Sequence, residues 1–309
     1  MTSQDDSREY HVPVMLNECI DALNINPKGI YVDLTFGGGG HSKKILDQLG
    51  EGHLYAFDQD EEASNNSKPF ETDNRFTFVQ ANFRYLMRYL KLYGITKVDG
   101  VLADLGVSSH QIDEPERGFS TRFQGDLDMR MDQSGELTAA DVLNQYSEKE
   151  LHRIFGIYGE VKNAKTLAAR IVSERVKAEF KTVDDLKNIL IQYAQRGKSA
   201  KYFAQVFQAL RIEVNQELKV LEEMLEQIPE ILNPGGRLVV MSYHSLEDRL
   251  VKNFILKGKF HGQIEKDFFG NMIRPLEPVG KKVITASAEE LERNNRARSA
   301  KLRIAEKKE

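Results

Sequence analysis

Residues 31–42 read YVDLTFGGGGHS: an apolar run closing on an acid, four consecutive glycines, then a polar segment that opens a helical pattern. Few arrangements accommodate this. A backbone without Cβ atoms lets a ligand approach closely, and the start of the following helix offers unpaired N–H groups, so the segment reads as a strand, a ligand-binding turn and a helix. A purely structural turn explains it poorly, because a run of glycines carries a conformational-entropy cost that such a turn would not need. The ligand should be nucleotide-like. A dinucleotide fingerprint requires G-x-G-x-x-G, but counting from Gly37 the sixth position is Ser42, and the acid Asp33 lies at the strand end itself.

The rest of the chain supplies the sheet that such a turn needs. Short apolar runs at residues 30–34, 53–57, 76–79, 98–105 and 237–243 read as strands, with helical segments such as 42–49 and 83–93 between them. Alternation of this kind predicts a doubly wound α/β fold with a parallel sheet. The spacing breaks after the fourth strand, where the chain runs on far longer than one crossover needs before the fifth. Ala164, Leu167, Ala168, Ile171 and Val172 repeat there at helical spacing, which predicts an all-α insert over 112–210 within a discontinuous domain of 1–111 and 211–309. Phe203 to Ile228 carry the apolar stripe of one long helix, stopped by Asn233-Pro234-Gly235-Gly236, and residues 282–286 and 300–305 offer two further strands.

Composition excludes several classes. With 40% hydrophobic and 29% charged residues the chain is neither disordered nor fibrous. A single cysteine, Cys19, allows no internal disulfide and no CxxC metal site, the N-terminus lacks a signal-peptide pattern, and no apolar run is long enough to span a membrane. The expected location is cytoplasmic, with no membrane partner and no metal. The net charge of -4 hides a division: residues 249–309 carry 15 basic and 8 acidic side chains, and residues 162–211 carry 11 and 4. Two basic stretches of this kind suit a polyanion, although solvated helix faces look the same in a sequence.

An acidic strand end followed by a glycine turn suits S-adenosylmethionine, which has no pyrophosphate but carries an ammonium, a sulfonium and a ribose. Asp33 suits the cation. Asp58, at the end of the second strand, suits the ribose hydroxyls, with Asp60 as a helix cap beside it. Asn82 and Phe83 follow the third strand, where an adenine would lie. Asp104 and Gln111 follow the fourth strand and face the crevice at the carboxyl ends of the strands. Carbon methylation of a pyrimidine calls for a cysteine nucleophile, which Cys19 is not placed to provide, whereas an exocyclic amine needs only an acceptor such as Asp104. His244 is a candidate acceptor, Ser245 and Asp248 read as helix-capping residues, and Lys301 and Arg303 give the last strand a basic face.

These stretches resemble the bacterial small-subunit ribosomal RNA cytosine-N4 methyltransferases, the RsmH or MraW family, over nearly the whole chain. The likeness is carried by His11-Val12-Pro13-Val14, residues 33–42, 104–113, 116–120, 127–132, 207–215 and 242–249, and Arg296-Ala297-Arg298-Ser299. It departs at His110 and Asn295, where the family has proline, and at residues 204–206, which lack an arginine. The resemblance implies a Rossmann-like S-adenosyl-L-methionine-dependent methyltransferase domain whose inserted all-α domain recognises substrate. The cofactor-binding set it implies is Gly39, Gly40, His41, Asp58, Phe83, Asp104 and Gln111; Gly38 joins them as part of the same turn, and the amine chemistry above makes Asp104 also the catalytic candidate. The implied substrate is a decoding-centre cytidine of 16S rRNA within the small ribosomal subunit, and a homodimer is compatible with the sequence. Two rival readings are a nucleotide-dependent oxidoreductase, opposed by the missing third glycine, and an RNA-binding module, which would not need acids at three strand ends.

Overall fold

The computed structural model describes residues 13–308, so His11 and Val12 of the first motif lie outside the described residues. The chain divides into two compact units, one from its two ends, up to Gly106 and from Val220, and the other Val107–Lys219.

The first unit is built on a seven-stranded sheet of β1 (Ile30–Asp33), β2 (His53–Asp58), β3 (Phe76–Gln80), β4 (Val98–Asp104), β5 (Leu232–Ser242), β6 (Leu276–Pro278) and β7 (Lys301–Lys307). The order is β3-β2-β1-β4-β5-β7-β6. The first five strands pair in parallel, and their near-continuous apolar runs follow from burial of both faces. The sheet is mixed rather than wholly parallel, because β7 runs antiparallel to β5 and β6 antiparallel to β7. Residues 282–286 do not form the expected strand; Ile284 makes only an isolated bridge to Leu302, and Leu276–Pro278 takes the edge, where proline's missing N–H costs no ladder bond.

One face of this sheet buries Tyr31, Leu54, Ala56, Leu102, Val239 and Met241 with residues of helices Leu16–Leu23 and Gly40–Gln48. Each large apolar side chain removed from water contributes roughly 1.5–3 kcal/mol before entropy is counted. The chain leaves β1 for β2 and β3 on one side, then returns to β4 on the other, so the loops after β1 and β4 part and leave a crevice at the carboxyl edge.

The second unit is helical, with Ala139–Gln145, Glu148–Ile157, Ala164–Arg175, Val183–Leu190 and Ser199–Asn215 around a core that includes Leu151, Phe155, Leu167, Leu186 and Leu210. It begins earlier and ends later than residues 112–210. At its end, Asn215 donates to the Met129 carbonyl and accepts from the Met131 N–H, both at 2.7 Å, which ties the last turn of that helix back into the unit. The expected single long helix is two, Ser199–Asn215 and Glu217–Ile231, broken where Gln216 adopts φ 50. The apolar stripe is continuous across the break, so periodicity alone could not reveal it. No described helix is long and apolar enough to cross a membrane.

Candidate active site at the carboxyl edge of the sheet

The glycine turn is held from both sides by acids. Asp33 is fully buried and accepts from Thr35 N–H at 3.1 Å and from Ser42 Oγ at 2.7 Å, which fastens the end of β1 to the helix Gly40–Gln48. Its oxygens are therefore committed inside the protein, and the expected direct contact with a cofactor cation gives way to a structural clasp. Asp58 is half-buried and accepts from Gly37 N–H at 2.8 Å and Asp60 N–H at 2.9 Å. Asp60 caps the next helix as expected, accepting from Glu62 N–H.

Within the turn, Gly39 has φ 77 and an added Cβ would come 2.8 Å from the rings of Phe36 and Phe70, so no other residue fits without displacing both. Gly38 differs: a Cβ there would meet nothing within 4 Å, so its backbone borders open space. Beneath lies a cluster of Phe36, Phe70, Phe76 and Phe78, with ring centroids 5.2 to 5.8 Å apart, that supports the turn and was not evident in the sequence.

Asp104 ends β4 opposite Met241. Its backbone N–H donates to Thr35 Oγ1 at 2.7 Å, and its Oδ1 accepts from the Tyr243 hydroxyl at 2.8 Å. His41 is buried, with Nδ1 3.8 Å from Asp104 Oδ2 and no partner for Nε2 among the described residues. Burial lowers its pKa to about 4, so the ring is neutral at physiological pH. Tyr243 is the partner of Asp104 that sequence reasoning left unassigned; its position just beyond β5, next to the strand that ends in Asp104, was the available signal.

Phe83 is half-buried and opens a short 3-10 turn capped by Asn82, which also donates to Gln59 at 2.7 Å and so links the loops after β2 and β3. Arg84 holds this loop against Glu223 at 2.6 Å. Gln111 belongs to the other unit, where it is buried and closes a capping box with Ser108: its Oε1 accepts from Ser108 N–H at 3.0 Å, and its own N–H donates to Ser108 Oγ at 3.1 Å.

His244, not Ser245, is the N-cap of helix Ser245–Lys257, with Nδ1 accepting from Glu247 N–H at 3.4 Å. Buried Glu247 in turn accepts from Tyr243 N–H at 3.0 Å. The ring thus organises the loop beside Asp104. The basic face of β7 is also spent internally: buried Asp248 accepts from Arg303 at 2.6 Å and from Lys301 at 3.2 Å, so Asp248 does more than cap a helix.

The electrostatics of the edge are one-sided. Burial raises Asp33 and Asp58 to about 6 and Asp104 to about 7, and among the described residues no lysine or arginine pairs with any of them. For Asp104 the Tyr243 hydroxyl works the other way, and the charges of Asp33 and Glu247 add to the rise. A cationic, hydroxyl-bearing ligand supplies what this edge lacks, so the residues present fit S-adenosylmethionine. Because these carboxyls hold protons more tightly folded than unfolded, they weaken the fold as pH rises from 3.8 through about 6 to 7, and their ionised forms attract a cation. The thermal stabilisation by S-adenosylmethionine should therefore grow between about pH 5 and about pH 7.5, with protons released on binding near pH 6. Calorimetry in buffers of different ionisation enthalpy reads that release, and a pH-independent stabilisation would contradict the assignment.

A family model described as the MraW methylase family matches residues 8–308. The chain is 60% identical over 298 residues to the ribosomal RNA small subunit methyltransferase H of Cytophaga hutchinsonii, covering 96% of this chain and 99% of that protein. Proteins of the same name from Flavobacterium johnsoniae and Phocaeicola vulgatus are 57% and 56% identical over 300 residues, each covering 97% of this chain and 98% of the relative.

Proposed function

The chain belongs to the MraW methylase family, and on that footing we propose that it methylates the exocyclic N4 amine of a decoding-centre cytosine in 16S rRNA, using S-adenosyl-L-methionine. The observation that carries this reading is the pair of carboxyls without a cationic partner among the described residues, Asp58 and Asp104, beside a turn whose Gly38 backbone borders open space. S-adenosyl-L-methionine supplies, when bound, a methyl group already activated on a sulfonium. Asp58 takes the ribose hydroxyls on the lone pairs left by Gly37 and Asp60, Phe83 packs on the adenine, and Gly38, Gly39, Gly40 and His41 line the approach. Gln111 completes the set of cofactor-binding residues. Asp104 accepts a hydrogen bond from the cytosine amine, orients its nitrogen and eases loss of its proton. The helical unit is the substrate clamp: its Lys162, Lys165, Arg196, Lys198 and Lys201 are exposed and make no ion pair among the described residues, which leaves them for phosphates. The reaction takes place in the cytoplasm on RNA held in the small ribosomal subunit.

Transfer of a labelled methyl group to small subunits from cells lacking the enzyme, with nucleosides identified by mass spectrometry, tests the reaction; label on carbon, or none on cytidine, would overturn it. Asp58→Ala should weaken S-adenosylhomocysteine binding by about 1 to 3 kcal/mol. Asp58 also anchors the glycine turn, so Asp58→Asn, which retains one acceptor, should lose less. Unchanged affinity in the alanine variant would remove Asp58 from the site.

A further inference from the structure

The two most exposed large apolar side chains among the described residues are neighbours, Phe268 at 98% and Phe269 at 85% of full accessibility. They sit at the tip of a small arm in the basic C-terminal segment. Its two sides meet through an antiparallel bridge between Lys266 and Met272 and a bond from Ile273 N–H to the Glu265 carbonyl at 2.9 Å. The root is fixed: Phe260 stacks on Phe254 of helix Ser245–Lys257 at 5.2 Å, Asn253 donates to the Phe260 carbonyl, and Arg274 donates to the Leu256 carbonyl. The tip is fixed as well. Asp267 Oδ1 accepts from the N–H groups of Phe269 and Asn271, both at 2.9 Å, and Gly270 closes the turn with φ 87. A polar turn of this quality holds two phenyl rings in water, where they gain nothing from burial, with centroids 5.7 Å apart and planes at 87°.

Charge indicates what they meet. Of the acids of the arm and its root, Glu265 pairs with Lys259 and Glu277 with Arg274 and Lys308, while the Asp267 carboxylate keeps its charge and spends its oxygens on the N–H groups of Phe269 and Asn271 and on the Asn271 amide. Lys266 on the arm is exposed and makes no ion pair among the described residues. Aromatic faces on the same turn as an uncommitted lysine are the chemistry of an unpaired nucleic-acid base and its phosphate. Two rings bury too little to hold a second copy of the chain, because each contributes about 150–250 Å² whereas a stable protein interface takes roughly 1,200 Å² or more.

We infer that this arm is a second RNA contact, in which Phe268 or Phe269 stacks on an unpaired base of the substrate while Lys266 faces its phosphate. The perpendicular rings let one offer its face while the other flanks the same base. The inference rests on the function proposed above only in taking RNA as the partner.

The test is the full-length F268A/F269A variant, assayed for methyl transfer to unmethylated small subunits and for binding of a short oligouridine by fluorescence anisotropy. The expected result is a KM for subunits and a Kd for oligouridine raised roughly five- to 150-fold, the loss of one stacked base, with kcat and S-adenosylhomocysteine affinity unchanged. Tryptophan at both positions should restore binding, and leucine, apolar but without a π-face, should not. Leucine restoring binding, an unchanged KM and Kd in the alanine pair, a dimer that the alanine pair splits, or anionic phosphatidylglycerol vesicles binding in place of oligouridine would each overturn it. Should the wild-type protein transfer no methyl group to small subunits, the proposed reaction fails, and the arm is judged on oligouridine alone, where equal binding by wild type and the alanine pair refutes it.

Discussion

Asp104→Asn is expected to lower methyl transfer by roughly two to four orders of magnitude, the range seen when general-base or electrostatic help is lost. The variant keeps size and keeps an oxygen for the Tyr243 hydroxyl, which donates to Asp104 Oδ1 at 2.8 Å, so the fold and the loop after β5 are retained. What it loses is charge. The amine's lone pair is delocalised into the cytosine ring, and an anionic acceptor on its N–H raises electron density at nitrogen as the new bond forms. Position and charge act together here, because the Thr35 contact fixes the backbone of Asp104 while Tyr243 fixes its carboxyl. The pKa of about 7 adds a signature: activity of the free enzyme should rise with pH through that value, and the rise should vanish in the asparagine variant. Tyr243→Phe removes the bond that lowers this pKa and should move the limb to higher pH. If Asp104→Asn regains near-normal turnover once S-adenosylmethionine is saturating, Asp104 serves binding and not chemistry.

The parts of this protein that could be read in the sequence are those set by local pattern. Four of the first five strands lie within a residue or two of the apolar runs that announced them, because a strand buried on both faces needs an unbroken run. The fifth starts earlier, at Leu232, since the Asn233-Pro234-Gly235-Gly236 stretch that stops the helix enters the sheet through a register shift against β4. Long-range pairing could not be read in this way. Nothing in residues 301–307 states that they run antiparallel to β5, and Leu276–Pro278 is too short to stand out from a loop. Gln216 has no glycine or proline to mark its turn, so the helix break is concealed by the stripe on either side. Asp33 and Asp58 were visible as acids at strand ends, but only the fold distinguishes the buried clasp of the first from the half-open position of the second. His244 was ambiguous for the same reason, because a cap and a base look alike until its Nδ1 is seen to accept from the Glu247 N–H.

Removing the helical unit, by joining Gly106 to Val220 through a flexible linker, should leave a protein that binds S-adenosylmethionine but methylates RNA at least about a thousandfold more slowly. The buried cluster from Leu127 to Leu210 shares no residue with the cluster that contains Tyr31, Leu102 and Met241. The glycine turn, Asp58, Phe83, Asp104 and Tyr243 all remain, together with the contacts that hold them. What leaves is the set of exposed, uncommitted lysines and Gln111. A cytosine then has to find Asp104 by diffusion, and the loss of positioning sets the size of the effect. Cofactor affinity gives a separate reading. If it falls with the excision and equally in Gln111→Ala of the full chain, Gln111 binds cofactor; if it holds in both, that residue serves its capping box alone. Should the excised protein fail to fold, Lys198→Glu with Lys201→Glu in the full chain asks the same question, because reversing two exposed charges spares both cores and should raise KM for small subunits steeply at low salt. Methylation that survives both changes would mean that the helical unit does not clamp the substrate.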